Sequence, residues 1–159
     1  MKLHPIQTGG IVSGDAGQLP AATREVLQAT ASLYERTGFT PPWICYIATV
    51  SDRPVGTCGF KSAPEHGRIE IAYFTFPGLE GSGIATQMAR SLIAMATDAD
   101  PGVVVAAQTL PERNASHRVL EKLGFTCIGS LEHPEDGTVL EWQKADRVAQ
   151  QTVAAVRAR

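Results

Sequence analysis

The segment Glu80-Gly-Ser-Gly-Ile-Ala85 is where residue type and spacing most directly suggest chemistry. Two glycines, Gly81 and Gly83, flank Ser82 at the entry to an apolar-periodic stretch. They leave backbone N–H groups at a helix N-terminus without intrahelical partners and without side chains above them. Such a loop binds an anion. The helix dipole contributes about 0.3 to 2 kcal/mol and charge-assisted N–H bonds the rest, a geometry that suits a pyrophosphate. A plain tight turn is the structural alternative for the two glycines. A dinucleotide fingerprint does not fit, because the third glycine position is Thr86, the loop lies mid-chain, and the next strand ends in Ala106-Ala107-Gln108 with no acid. No Gly-Lys-Ser or Gly-Lys-Thr follows the loop, which removes the nucleoside-triphosphate motif as well.

Other reactive side chains are sparse. Glu70 is the one acid inside the apolar run 68–76, with Arg68 or another cation as its structural partner. The cysteines Cys45, Cys58 and Cys127 are an odd number at wide spacing inside apolar segments, and read as small core residues rather than a disulfide framework. The histidines His4, His66, His117 and His133 show no ligand spacing and read as turn or surface positions, so no metal is expected.

The elements that must position these residues follow from periodicity. The first twenty residues, with Gly9, Gly10, Gly14, Gly17 and Pro20, read as an irregular lead-in. Val26, Leu27, Thr30, Leu33 and Tyr34 recur at helical spacing, with Gly38 placed to end the helix and Pro41-Pro42 to forbid its continuation. The runs 43–50 and 55–60 read as strands joined by Ser51-Asp52-Arg53-Pro54. The run 68–76 is so continuously apolar that a strand covered on both faces is expected. Ile84, Ala85, Met88, Ala89, Leu92, Ile93 and Ala96 form one helix face ending near Asp98. A short strand at 103–107 follows. Then Asn114 caps a helix presenting Val119, Leu120 and Leu123 before Gly124. Strands at 126–131 and 138–142 flank a turn at 133–137, and residues 144–159 carry a weak amphipathic pattern with no visible chemistry.

With 159 residues, 43% hydrophobic and 19% charged, the chain is sized and composed as one globular domain. Lys and Arg total 14 against 16 Asp and Glu, so the net charge of -2 argues against nucleic acid or an anionic membrane as partner. No apolar segment approaches the ~20 residues that span a bilayer, and the N-terminus lacks a signal-like core; a cytoplasmic protein is expected.

From about Trp43 to Trp142 the chain resembles the GNAT acetyltransferases, in the branch related to the RimJ and RimL protein N-acetyltransferases. Three pieces in order carry the resemblance: Ile69-Glu-Ile-Ala-Tyr73, the loop 80–85, and Asn114-Ala-Ser-His-Arg-Val-Leu-Glu-Lys-Leu-Gly-Phe125. It implies an α/β (α+β) fold with a mixed central sheet and helices on both faces. One domain spans 1–159, with a core at about 43–142, a lead-in and helix before it, and a tail at 144–159 that packs on its own domain or on a second copy as a homodimer.

The resemblance further implies acetyl-CoA as co-substrate. Backbone amides at Gly81, Ser82, Gly83, Ile84 and Ala85 would hold its pyrophosphate. Phe74, Thr75 and Phe76 would pair with the pantetheine arm in a gap between the strands at 68–76 and 103–109, a strand N–H near Phe74 polarising the thioester carbonyl. Asn114 and Ser116 would lie near the sulfur, with simple helix capping as the alternative for both. Relatives usually carry Arg or Gln where this chain has Glu80, whose carboxylate must then turn away from the phosphates.

Glu70 matches the general base of many relatives. An alkyl amine with pKa near 10.4 costs about 4 to 5 kcal/mol to deprotonate at neutral pH, whereas an α-amine near 7.7 to 8.0 costs only about 1 kcal/mol. Many relatives place a Tyr as general acid where this chain has Leu120; Ser116 or Tyr73 can stand in, or the thiolate leaves unaided. His117, beside Ser116, can face the acceptor. The expected activity is transfer of acetyl from acetyl-CoA to a primary amine, on a small molecule or a protein N-terminus, by direct attack in a ternary complex. A catalytically idle acyl-CoA-binding domain is the alternative.

Overall fold

The computed structural model describes residues 1–144, so the amphipathic pattern expected over 144–159 lies outside the described residues except for Lys144. The chain forms two compact units, Met1–Val103 and a second that begins at Val104.

The first unit is built on antiparallel strands in the order β2-β1-β3-β4-β5: β1 Lys2–Gln7, β2 Ile11–Val12, β3 Cys45–Val50, β4 Arg53–Phe60 and β5 Arg68–Thr75. The lead-in is therefore not irregular. β1 lies against β3 with Leu3 opposite Ala48 and Pro5 opposite Tyr46, and Ile6 is fully buried. Pro5 and the glycines that follow disguise the strand. The Pro5 carbonyl still accepts from Ser13 N–H (2.8 Å), and the glycines make the turn to β2.

β3 and β4 form the expected hairpin, turning through Ser51 and Asp52, both at positive φ as a two-residue turn requires. α1, Thr23–Thr37, ends where Gly38 at φ 82° donates to Tyr34 O (2.8 Å). The Tyr34 hydroxyl donates to Ile6 O (2.9 Å) and accepts from Cys45 N–H (2.8 Å), fastening α1 to β1 and β3. Each such bond contributes about 1 kcal/mol net.

Side-chain alternation gives the sheet two faces. Leu27 of α1 packs with Ile6, Ile47 and Phe76 on one face. On the other, Met88, Ala89 and Leu92 of α2, Ile84–Ala99, cover β4 and β5. Helices thus lie on both faces, as expected. β5, however, is not covered on both faces along its length: Ile69 and Ile71 are buried, but Ala72 and Phe74 are exposed, Phe74 by 50%. Apolar composition alone cannot distinguish a doubly covered strand from one that presents an apolar surface to a ligand.

The second unit pairs β6, Val104–Thr109, with β8, Gly137–Lys144, and β8 with β7, Phe125–His133, all antiparallel. α3, Ala115–Lys122, buries Leu120 fully. β7 is mostly exposed, and Cys127 with it; that cysteine is not a core residue, because its strand borders only β8 among these three.

Candidate active site

Phe76, just past β5, is buried, and the turn that follows positions the loop. Leu79 N–H reaches Phe76 O (3.1 Å), Ser82 Oγ donates to Leu79 O (2.5 Å), and Glu80 Oε2 accepts from Gly78 N–H (2.7 Å). The Glu80 carboxylate thus folds back onto its own loop, satisfying a backbone donor there.

Gly81 and Gly83 sit at φ 76° and 79°, and a Cβ on either would meet no heavy atom within 4 Å. The space above them is open. Gly83 caps α2 with no side chain, and the first bond of the helix runs from Gln87 N–H to Gly83 O (3.0 Å). The N–H groups of Ile84, Ala85 and Thr86 therefore have no partner within the helix. Buried Ile84 anchors this first turn to the core. The donor set fits the pyrophosphate of a coenzyme A: clustered amides, positive-φ glycines and no overhanging side chain.

β5 leads into this loop and carries Glu70. Alternation places Glu70, Ala72 and Phe74 on one face, with Lys61, Gly59 and Thr57 opposite them on and beyond β4. Gly59 contributes no side chain; a Cβ there would stand 2.5 Å from Cys45 Cα. Exposed Ala72 and this glycine form a low floor between Glu70 and Phe74, which lie about 13 Å apart along the strand. The Glu70 side chain is 14% exposed. Lys61 Nζ stands 2.5 Å from its Oε1, and Arg68 Nη1 stands 3.9 Å from Oε2. The closer cation is Lys61, which the sequence left unnamed beside Arg68; counting antiparallel register across β4 and β5 identifies it.

The ladder also sorts the amides of β5. Lys61 N–H donates to Glu70 O and Phe76 N–H to Val55 O. Hydrogen-bonded pairs recur every second residue, so Phe74 pairs with Thr57, whereas Tyr73 and Thr75 turn their N–H groups away from β4. Of the three residues expected to meet a pantetheine arm, Thr75 has its amide directed off the ladder with β4.

In the second unit Asn114 is the helix cap. Its Oδ1 accepts from Ser116 N–H (2.9 Å) and His117 N–H (3.4 Å), while Nδ2 donates to Glu112 O (3.0 Å). Ser116 is half-buried in the first turn. His117 is not at the surface: it is buried, its ring 5.3 Å from that of Trp142. Its Nε2 lies 2.9 Å from Leu110 O and 3.0 Å from Thr109 Oγ1, which also accepts from Trp142 Nε1 (2.9 Å). A carbonyl only accepts, so Nε2 carries the proton. Leu120 packs in the core and brings no proton donor to its position.

Burial pushes the Cys45 thiol up to about 11 and the Cys58 thiol to about 12. Both are held as thiols at neutral pH, unsuited to nucleophilic attack. Among the described residues no cluster of three or more His, Cys, Asp or Glu is able to hold a metal, and no helix is long and apolar enough to cross a membrane.

The family model described as "Acetyltransferase (GNAT) domain" matches residues 15–126. No curated protein matches the chain. Solved structures with similar folds include the aminoglycoside acetyltransferase AAC(6')-Ib in complex with coenzyme A, at 22% identity over 69% of each chain and a TM-score of 0.58. A second is RimL, the ribosomal L7/L12 alpha-N-protein acetyltransferase, in complex with coenzyme A, at 20% identity over 77% of this chain and 71% of that one, TM-score 0.60. A third, described as a GNAT-family acetyltransferase from Bordetella pertussis, aligns over 90% of this chain and 94% of its own at 18% identity, TM-score 0.61. The α/β fold expected from the sequence is the fold of these proteins.

Proposed function

The chain belongs to the GNAT acetyltransferases and is an acetyl-CoA-dependent N-acetyltransferase, and from that premise we propose that it acetylates a primary amine by direct attack in a ternary complex. The observation that carries this reading is the arrangement on β5 and the turn after it. A carboxylate stands beside an open floor at Ala72, and the strand leads into a loop whose glycines expose the amides of α2. We take residues 1–159 as one catalytic domain, a reading supported by a family match that runs across the boundary between the two units.

Gly81, Ser82, Gly83, Ile84 and Ala85 hold the pyrophosphate through backbone N–H groups, and Thr75 offers its amide to the arm. Bound acetyl-CoA supplies the thioester, whose carbon–sulfur bond breaks as the amine nitrogen forms the new carbon–nitrogen bond. Glu70 receives the amine proton, directly or through water; the thiolate leaves as an anion, and the hydroxyl of Ser116 or Tyr73 protonates it or it departs unaided. The protonated thiols of Cys45 and Cys58 support direct transfer over a cysteine acyl-enzyme. The acceptor is a small amine or a peptide N-terminus, in the cytoplasm. A homodimer belongs to the same reading, and sedimentation of the full chain checks it.

A thiol-release screen with acetyl-CoA, peptides with free α-amines, aminoglycosides and polyamines tests the activity. Glu70→Gln tests the base: kcat with an alkyl amine falls at neutral pH by about 100-fold or more. An unchanged kcat removes Glu70 from that role. Two observations favour a second reading, a non-catalytic acyl-CoA-binding domain: Glu70 is ion-paired and Leu120 supplies no acid. Binding of acetyl-CoA without thiol release across the panel would select it.

A further inference from the structure

If Glu70 takes the acceptor's proton, as the reading above has it, then whatever fixes its carboxylate governs the rate. We propose that Lys61 is a positioning residue for that step: its ammonium holds Oε1 of Glu70 and leaves Oε2 as the oxygen that meets the acceptor amine or its water.

The backbone sets this arrangement. Lys61 N–H donates to Glu70 O (3.0 Å), one step past the last residue of β4, so the two side chains leave the same face directly opposite each other. Lys61 Nζ then lies 2.5 Å from Oε1 as an ion pair, and Oε1, sealed from solvent, makes no hydrogen bond of regular geometry, so the charge of Lys61 is what holds it. Arg68 reaches Oε2 only to 3.9 Å, outside hydrogen-bond length. The carboxylate is therefore held unequally, gripped at one oxygen and loosely attended at the other. A lysine suits this division, since its ammonium is a point charge that can occupy one oxygen. A guanidinium fork would span both. The proton leaves the amine nitrogen for Oε2 as the carbon–nitrogen bond forms and the thiolate departs, while Oε1 stays paired throughout.

Single-turnover acetyl transfer by the full chain tests this, with an alanine-initiated peptide, kanamycin and putrescine as acceptor probes and the fastest carried forward. Lys61→Met is expected to slow the chemical step about tenfold with KM for acetyl-CoA unchanged, and to cost nothing further in a Glu70→Gln background. Lys61→Arg, which keeps the charge and the fold, is expected to slow the step as well by capturing Oε2, and it serves if the methionine variant does not fold. Equal losses from Lys61→Met with and without Glu70, or a wild-type rate in Lys61→Arg, would mark Lys61 as a structural brace and overturn the proposal. A wild-type rate in Glu70→Gln alone removes the base assignment and this inference with it. So does the absence of thiol release from every probe.

Discussion

Gly83→Ala separates the two things that a glycine at the start of α2 can be for. At φ 79° and ψ 5° an alanine adopts a left-handed conformation that costs about 1 to 2 kcal/mol. For a chain of this length that lowers Tm by about 2 to 8 °C. The new methyl meets nothing in the protein, so no packing clash adds to the strain. It does project into the space where a pyrophosphate would approach the amides of Ile84 and Ala85. Losing one charge-assisted N–H bond costs about 1.5 to 3 kcal/mol, which weakens coenzyme A binding about 10- to 100-fold.

Gly38→Ala is the control. Gly38 lies at φ 82° and ψ 176°, also with open space around a Cβ, at the far end of α1, and its backbone region is the more strictly reserved for glycine. Its loss of Tm should equal or exceed that of Gly83→Ala, with coenzyme A affinity unchanged. Thermal unfolding and titration calorimetry read both quantities. A Kd for Gly83→Ala within twofold of the parent, or an equal weakening in Gly38→Ala, refutes the assignment of the loop.

Three further outcomes are expected. Ala72→Leu raises the floor beside Glu70 and should increase KM for the acceptor several-fold with coenzyme A affinity intact; unchanged acceptor kinetics would place the amine elsewhere. Thr109→Val removes the acceptor of the Trp142 indole N–H, at about 1 to 3 kcal/mol, while His117 keeps Leu110 O. Thr109→Ser keeps that acceptor and loses a methyl, about 1 kcal/mol, so urea unfolding should rank valine below serine, and the reverse order means the hydroxyl is not the reason for threonine. The Cys58 thiol titrates near 12 in the fold against the usual 9.0. Below pH 9 both folded and unfolded thiols are protonated and stability is intact. From pH 9 to 12 only the unfolded chain releases its proton, so stability falls on the order of 1 kcal/mol per pH unit. Urea midpoints in reductant should fall less steeply over pH 9–11 for Cys58→Ala than for the parent; parallel slopes contradict the shift.

Periodicity made α1, α2 and α3 legible, because each buries one stripe and each ends on a recognisable residue. β1 was not legible: Pro5 and six short positions before a glycine pair carry too weak an alternation, and the strand exists because β3 offers it an edge. His117 was misplaced for a different reason. Its partners Thr109, Leu110 and Trp142 come from a strand, a loop and another strand, and nothing local in the sequence announces that they converge. At the proposed site, the loop glycines and Glu70 stand out by residue type. Lys61 and the amide of Thr75 follow only from register, which depends on how β4 and β5 align.

The loop before α2 offers its donors from the main chain, and it tolerates an acid at position 80 by tying that acid to Gly78. Atoms of the main chain cannot be mutated away. What inheritance must preserve there is a pair of backbone angles, at 81 and 83, rather than any side-chain charge. The neighbouring side chains are left free to drift, and descendants of this loop would be traced more reliably by the spacing of their glycines than by a search for basic residues.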